Sequence, residues 1–196
     1  MVTNLSMSLV NILFNMKLMD LAGANGVSAY GGFLFSETYV GYSVGSASIV
    51  SYHYGAGNKD ELKGLLKRSV KLLGVVAVIM TLLSEIFTKP LASIFVGYDT
   101  ELLNLTINAL RLYSLSYIIS RFNIYASSFF TAPNDGFVSA LISFLRTLVF
   151  QVIMILIMPS ILGINGIWLP VVFAEILAII VSIICFIKNK KKYEYA

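Results

Sequence analysis

Six long apolar stretches constrain the fold of this chain more than any other feature of its sequence. They lie at residues 2–22, 27–52, 69–88, 103–130, 136–160 and 165–187. A helix needs about 20 mostly apolar residues to cross the roughly 30 Å hydrocarbon layer of a bilayer. Because backbone groups in lipid must be hydrogen-bonded within the protein, an open chain can cross only as helices. The sequence therefore predicts an all-α membrane protein, with residues 1–196 forming one bundle of six transmembrane helices.

The composition supports the membrane class and excludes others. Hydrophobic residues make up 58% of the 196 residues and charged residues 12%, whereas about a quarter of a soluble domain is charged. Six spans leave no room for a soluble domain. The N-terminal residues do not show the pattern of a signal peptide. The net charge of +4 comes from residues that flank the spans. We therefore expect the lipid bilayer, and not nucleic acid, as the partner of the basic residues.

Basic residues follow the second and the sixth stretch. The clusters are Lys59, Lys63, Lys67, Arg68 and Lys71, and then Lys188, Lys190, Lys191 and Lys192. Four spans separate the two clusters, so both lie on the same side of the membrane. The positive-inside rule makes that side cytoplasmic. We predict a multi-pass protein of a bacterial cell membrane with both termini in the cytoplasm.

Polar side chains recur along one face of two of the predicted helices. They are Asn4, Ser8, Asn11 and Asn15 in the first helix and Ser116, Ser120, Asn123 and Ser127 in the fourth. Spacings of three and four residues place each set on one face. Amide and hydroxyl groups are costly against lipid, so each face borders either a water-filled cavity or a neighbouring helix that it hydrogen-bonds. The cavity interpretation makes these residues part of a binding site.

Three ionisable residues lie at membrane depth. At 1.5 Å of rise per residue, Glu37, Arg146 and Glu175 are each about 15 Å inside their helices. A carboxylate at this depth is suited to carry a proton or to bind a cation, so we include Glu37 and Glu175 in the predicted site. The alternative for Glu175 is a structural ion pair with a basic residue such as Arg146. Arg121 either attracts anionic groups or extends to the cytoplasmic surface.

The sequence contains no pattern typical of catalysis. There is no nucleophile–base–acid arrangement, no phosphate-binding loop and no metal-ligand spacing. The single cysteine, Cys185, lies inside an apolar stretch. We predict that the protein is not an enzyme and has no metal or organic cofactor.

Several runs, taken in order, resemble the C-terminal six-helix lobe of the multidrug and toxic compound extrusion transporters. They include Asn4-Leu5-Ser6-Met7-Ser8, Gly41-Tyr42-Ser43, Ser51-Tyr52-His53-Tyr54-Gly55-Ala56-Gly57-Asn58, Arg111-Leu112-Tyr113, residues 122–131, residues 138–147, Gly166-Ile167-Trp168-Leu169 and Ala174-Glu175. The resemblance implies one lobe of a twelve-helix exporter whose N-terminal lobe is absent. It also implies an antiporter, coupled to Na⁺ or H⁺, that exports organic cations or amphipathic drugs by alternating access.

The sequence departs from this family pattern at two polar positions. Ser36-Glu37-Thr38 is not what the family shows there, so Glu37 is a candidate because of its depth alone. Arg121 stands where family members usually have a small residue, which changes the expected cavity shape. Two other functions stay open: a non-transporting membrane scaffold, and a half-size transporter in which a second copy supplies the other lobe.

Overall fold

The structure, a computed structural model, describes residues 9–20 and 38–193, and this part of the chain is helical without a strand. The helices are α1 (residues 9–20), α2 (Thr38–Gly55), α3 (Lys59–Val96), α4 (Thr100–Ser114), α5 (Tyr117–Thr131), α6 (Gly136–Phe144), α7 (Gln151–Leu162), α8 (Asn165–Trp168) and α9 (Pro170–Tyr193). A π-helical segment, Leu145–Phe150, joins α6 to α7. The predicted all-α class is confirmed.

Three helical stretches in the described part are long and apolar enough to cross a membrane. They are Lys59–Ile94, Gly136–Leu162 and Asn165–Tyr193. They contain the predicted spans 69–88, 136–160 and 165–187. A fourth stretch consists of α4 and α5, which meet at a bend of 48°. The predicted span 103–130 is therefore broken at Leu115 and Ser116. Parts of the first two predicted spans lie outside the described residues.

Helix α3 is much longer than the span predicted within it. Its 38 residues extend about 57 Å at 1.5 Å per residue, nearly twice the thickness of the hydrocarbon layer. The helix begins where Asn58 Oδ1 accepts a hydrogen bond from the backbone N–H of Glu61 at 3.2 Å. In its first turns Leu62 is buried while Lys63 and Lys67 are exposed. The apolar pattern predicted a span that starts only at residue 69, because charged residues such as Lys63 and Lys67 surround buried Leu62 in the first turns of α3.

In the described part of the chain, the buried apolar residues form two clusters at opposite ends of the bundle. One contains Val10, Phe14, Leu18, Ala92, Val96, Leu102, Ala109, Leu110, Ile155, Ile167 and Trp168. The other contains Val50, Leu62, Leu73, Tyr125, Ala126, Phe129, Phe130, Ile142, Cys185 and Tyr193. Leu62 lies within the first basic segment and Tyr193 directly follows the second. Both basic clusters therefore lie at one end of the bundle, which we call the basic end.

The turn between α5 and α6 is tied to the end of α9. Asp135 Oδ1 accepts a hydrogen bond from the Val138 N–H at 3.2 Å and so caps α6. Its Oδ2 atom accepts hydrogen bonds from Lys192 Nζ at 2.8 Å and from the Tyr193 hydroxyl. The bonds from Lys192 and then Tyr193 hold the pKa of Asp135 below its usual value. This contact fixes the basic end of α9 against the α5–α6 turn.

Candidate functional site

A buried polar network surrounds Glu175 on α9. The Glu175 side chain is 3% exposed, and its Oε1 atom lies 3.0 Å from Arg146 Nη1. Asn123 Nδ2 donates to Glu175 Oε2 at 2.6 Å and to the Glu175 backbone carbonyl at 3.0 Å. Ser182 Oγ donates to Asn123 Oδ1 at 2.9 Å. The network joins α5, the π-helical segment and α9.

Both carboxylate oxygens of Glu175 are bound by these side chains. The Arg146 side chain is 13% exposed, so the pair is largely shielded from water and its attraction offsets the desolvation of two charges. Removing one member of such a pair costs about 3–5 kcal/mol, since the other is left buried and uncompensated. The structure thus contains the Arg146–Glu175 ion pair that the sequence offered as one of two interpretations of Glu175.

Arg146 lies in a π-helical segment that the sequence did not predict. The segment Leu145–Phe150 is π-helical, which is rare in proteins and occurs often at functional sites. A π-helical turn holds one residue more than an α-helical turn. Its conversion to α-helix would rotate the following residues by about 100°, the angle per residue in an α-helix. The segment contains no glycine or proline that would have indicated it in the sequence.

A second polar group lies between α5 and α6. Ser127 Oγ is 3.0 Å from Ser139 Oγ and 2.7 Å from Ser143 Oγ. Thr131 Oγ1 is 2.7 Å from Ser139 Oγ. Only Ser127 was singled out from the sequence. The spacing of four residues between Ser139 and Ser143 was the available signal, because it places both hydroxyls on one face of α6.

The fourth predicted helix uses its polar face in two ways. Asn123 hydrogen-bonds to α9, and Ser127 hydrogen-bonds to α6. These are contacts between helices, which was the alternative to a cavity. Ser116 is buried at the α4–α5 bend and Ser120 is half-buried. Among the predicted site residues that the structure describes, Asn123 and Glu175 are joined in the network, and Ser116 and Ser120 lie outside it.

The asparagines of α1 lie apart from this network. Asn11 is exposed and Asn15 half-buried, and Asn15 Nδ2 donates to the Asn11 carbonyl at 2.8 Å. Val10, Phe14 and Leu18 occupy the other face of α1 and pack into the core. Asn11 and Asn15 therefore face outwards from this bundle. The predicted site residues Asn4 and Glu37 lie outside the described residues.

Arg121 points into the protein. It is 1% exposed, and its Nε atom donates to the Tyr117 carbonyl at 3.0 Å. The interpretation that this side chain extends to the surface is therefore wrong. The buried side chain also occupies volume where a small residue would leave space, as the sequence comparison with the family had suggested.

Charged and amide side chains are retained inside apolar helices mainly where ions or substrates pass, and the Arg146–Glu175–Asn123 network lies inside such helices. The family model MatE matches residues 1–157, which is most of the chain. The chain belongs to the MatE family, the multidrug and toxic compound extrusion transporters. The resemblance read from the sequence is confirmed. Members of this family are transporters and not enzymes.

Solved structures of membrane transporters share the fold. A MATE crystallised in complex with MaL6 is 22% identical, with a TM-score of 0.90 over 100% of this chain and 45% of that one. An outward-facing multidrug resistance MATE transporter is 21% identical, with a TM-score of 0.89 over 99% of this chain and 45% of that one. A MOP superfamily transporter from Pyrococcus furiosus, described as having a binding pocket of reverse polarity, is 21% identical with a TM-score of 0.86. It is covered over 44% of its length by 98% of this chain.

The chain thus spans a little under half the length of these structures. A search of curated proteins found no match.

Proposed function

We propose that this chain is the C-terminal half of a cation-coupled exporter of amphipathic compounds, organic cations among them. Inward movement of Na⁺ or H⁺ drives the export. The observation that carries the proposal is the Glu175 carboxylate, buried on an apolar helix and bound by Arg146 and Asn123. A buried carboxylate is a group that a coupling ion can neutralise.

The coupling ion acts by competing with Arg146 for Glu175. When a cation neutralises the carboxylate, the guanidinium loses its partner and moves towards water. Breaking a buried pair costs about 3–5 kcal/mol, and reversing a two-state population from 1:99 to 99:1 needs about 5.5 kcal/mol. The ion pair therefore contributes more than half of the free energy that a full reversal needs, which biases an alternating-access equilibrium. The π-helical segment that contains Arg146 is the element that rearranges.

A second lobe completes the transporter. In an alternating-access carrier the substrate site lies between two bundles that move against each other. Asn11 and Asn15 face outwards from this bundle, where exposure to lipid would be costly. We infer that they contact a cavity shared with an N-terminal lobe or, in the alternative, with a second copy of this chain. The six-span bundle then lies in a cell membrane with the basic end in the cytoplasm.

The test is transport by purified protein in liposomes under a Na⁺ or H⁺ gradient, with a fluorescent organic cation as the reporter. We expect gradient-driven movement only when a second lobe is present, supplied either by an N-terminal lobe or by a dimer of this chain. Glu175→Gln keeps the size of the side chain but removes its charge, and it should abolish coupled movement. Glu101→Gln, on the exposed first turn of α4, is the matched control and should transport normally.

Three results would contradict the proposal. Transport by a monomer of this chain would show that one lobe suffices. Normal transport by Glu175→Gln would remove Glu175 from the coupling mechanism. A failure of every preparation to move any substrate would favour the membrane scaffold.

A further inference from the structure

Four hydroxyl groups form an unbroken chain between α5 and α6. Thr131 Oγ1 lies 2.7 Å from Ser139 Oγ, which lies 3.0 Å from Ser127 Oγ. Ser127 Oγ in turn lies 2.7 Å from Ser143 Oγ. Thr131 is exposed at the end of α5, Ser139 is buried, and Ser127 and Ser143 are half-buried. The chain therefore runs from the surface at the basic end towards the middle of the bundle.

Each hydroxyl in this chain can both donate and accept. A serine or threonine hydroxyl has one O–H donor and two acceptor lone pairs. In each of the three contacts either oxygen can be the donor. Thr131 Oγ1 also donates to the Ser127 carbonyl at 2.9 Å and Ser127 Oγ to the Ser139 carbonyl at 3.2 Å. When these two hydroxyls turn from the carbonyls into the chain, all the bonds can point inwards or all outwards. A proton that reaches one end forms a new O–H bond there, each hydroxyl passes its own proton to the next oxygen, and one proton leaves at the other end. No electrons are transferred and no other reactant is needed.

The inner end of the chain lies one helical turn from the Glu175 network. Ser127 is four residues from Asn123 on α5, and Ser143 is three residues before Arg146. Both Asn123 and Arg146 contact the Glu175 carboxylate. One turn rises about 5.4 Å along the helix axis, so the proposed route also includes water between the hydroxyl chain and the carboxylate, hydrogen-bonded on each side. Because arginine stays protonated in proteins, the step ends on the Glu175 carboxylate.

We propose that Thr131, Ser139, Ser127 and Ser143 conduct protons between Glu175 and the basic end of the bundle. Resting on the proposed function, this route identifies the coupling ion as H⁺ and gives the path by which it leaves the carboxylate. The return of Arg146 to Glu175 expels the proton, and the hydroxyl chain carries it to the surface at Thr131.

The test follows the protonation of Glu175 in the complete chain reconstituted in lipid nanodiscs. The infrared C=O stretch of a protonated carboxyl reports the event, and its disappearance in Glu175→Gln assigns the band. After a rapid pH jump, Ser127→Ala and Ser143→Ala should each slow the change in this band by at least about tenfold, which corresponds to about 1.4 kcal/mol of added barrier. The final amplitude should not change, because the carboxyl group remains.

Two variants separate the missing hydroxyl from a disturbed helix. Ser127→Thr retains a hydroxyl and should restore the rate. Ser128→Ala removes a half-buried hydroxyl from the adjacent position on α5, outside the chain, and should leave the rate unchanged. Alanine favours helix more than serine does, so folding of the alanine variants is expected.

An unchanged rate in both Ser127→Ala and Ser143→Ala would overturn the proton route, as would a Glu175 band that does not respond to pH in the unmodified chain. The efflux assay with Glu175→Gln judges the proposed function separately. Loss of efflux in that variant together with unchanged protonation rates in the serine variants would overturn the route and leave the proposed function standing.

Discussion

Replacing Arg146 by methionine tests whether the ion pair stabilises the bundle in the way its geometry indicates. The substitution keeps an unbranched side chain but leaves the Glu175 carboxylate, 3% exposed, with Asn123 as its remaining partner in the network. Removing one partner of a buried pair costs about 3–5 kcal/mol. A domain of 150–250 residues loses about 2–4 °C of melting temperature per kcal/mol, so we expect Tm to fall by roughly 6–20 °C.

A double variant supplies the matched control. In Arg146→Met with Glu175→Leu no charge remains, and replacing a whole buried pair by apolar side chains is often neutral or stabilising by about 1–4 kcal/mol. We therefore expect the double variant to recover most of the loss.

The assay is reversible unfolding of the purified chain in mixed detergent micelles, followed by circular dichroism at several pH values. A loss below about 1 kcal/mol in Arg146→Met would show that the pair contributes no more than an exposed ion pair does. A double variant as unstable as Arg146→Met would show that the instability does not come from the uncompensated carboxylate. Either result would refute the account of the network as a buried, mutually compensated pair.

Two further predictions concern the ends of the bundle. In a Cys185→Ser background, a cysteine at the exposed position Tyr98 should react with an impermeant thiol reagent in intact cells, and a cysteine at Lys63 should not; the reverse pattern would overturn the orientation. Asparagine caps a helix as well as aspartate does, so Asp135→Asn should weaken the hydrogen bonds with Lys192 and Tyr193 while keeping the cap of α6. Asp135→Ala also removes the cap and should lower the folding stability by about 1 kcal/mol more than Asp135→Asn does. Because the folded-state pKa of Asp135 is lowered from 3.8, the stability that its charge contributes is present above that value and is lost as the pH falls through the lowered pKa. The difference between unmodified protein and Asp135→Asn in thermal unfolding should therefore be constant from about pH 5 to 8 and shrink in stronger acid, and a difference that grows on acidification would contradict the assignment.

The amino-acid sequence by itself determined the membrane class, the helical fold and several local features. Lipid imposes helical structure on any apolar stretch of about 20 residues, so the stretches predicted helices without knowledge of their neighbours. The side chain of Asn58 caps α3 by accepting a hydrogen bond from the N–H of Glu61, three residues further on. Because an even number of spans separates the two basic clusters, the sequence predicted that both lie at the same end of the bundle. Leu62 and Tyr193, which adjoin the two clusters, lie in one core cluster there. Each of these features depends on partition into lipid or on residues within one helical turn.

Only the tertiary structure decided which polar residues meet. Asn123 and Glu175 are 52 residues apart, and Arg146 reaches Glu175 from a third element. A polar face in the sequence shows that this side of the helix does not face lipid. The residue spacing is the same whether the amides and hydroxyls border a cavity or hydrogen-bond to another helix. The rotation of each helix about its axis selects the partner, and here it directs Asn123 to α9, Ser127 to α6, and Asn11 and Asn15 away from both. The bend at Leu115 and the π-helical segment at Arg146 also became visible only in the tertiary structure, because neither segment contains a glycine or proline that would indicate it.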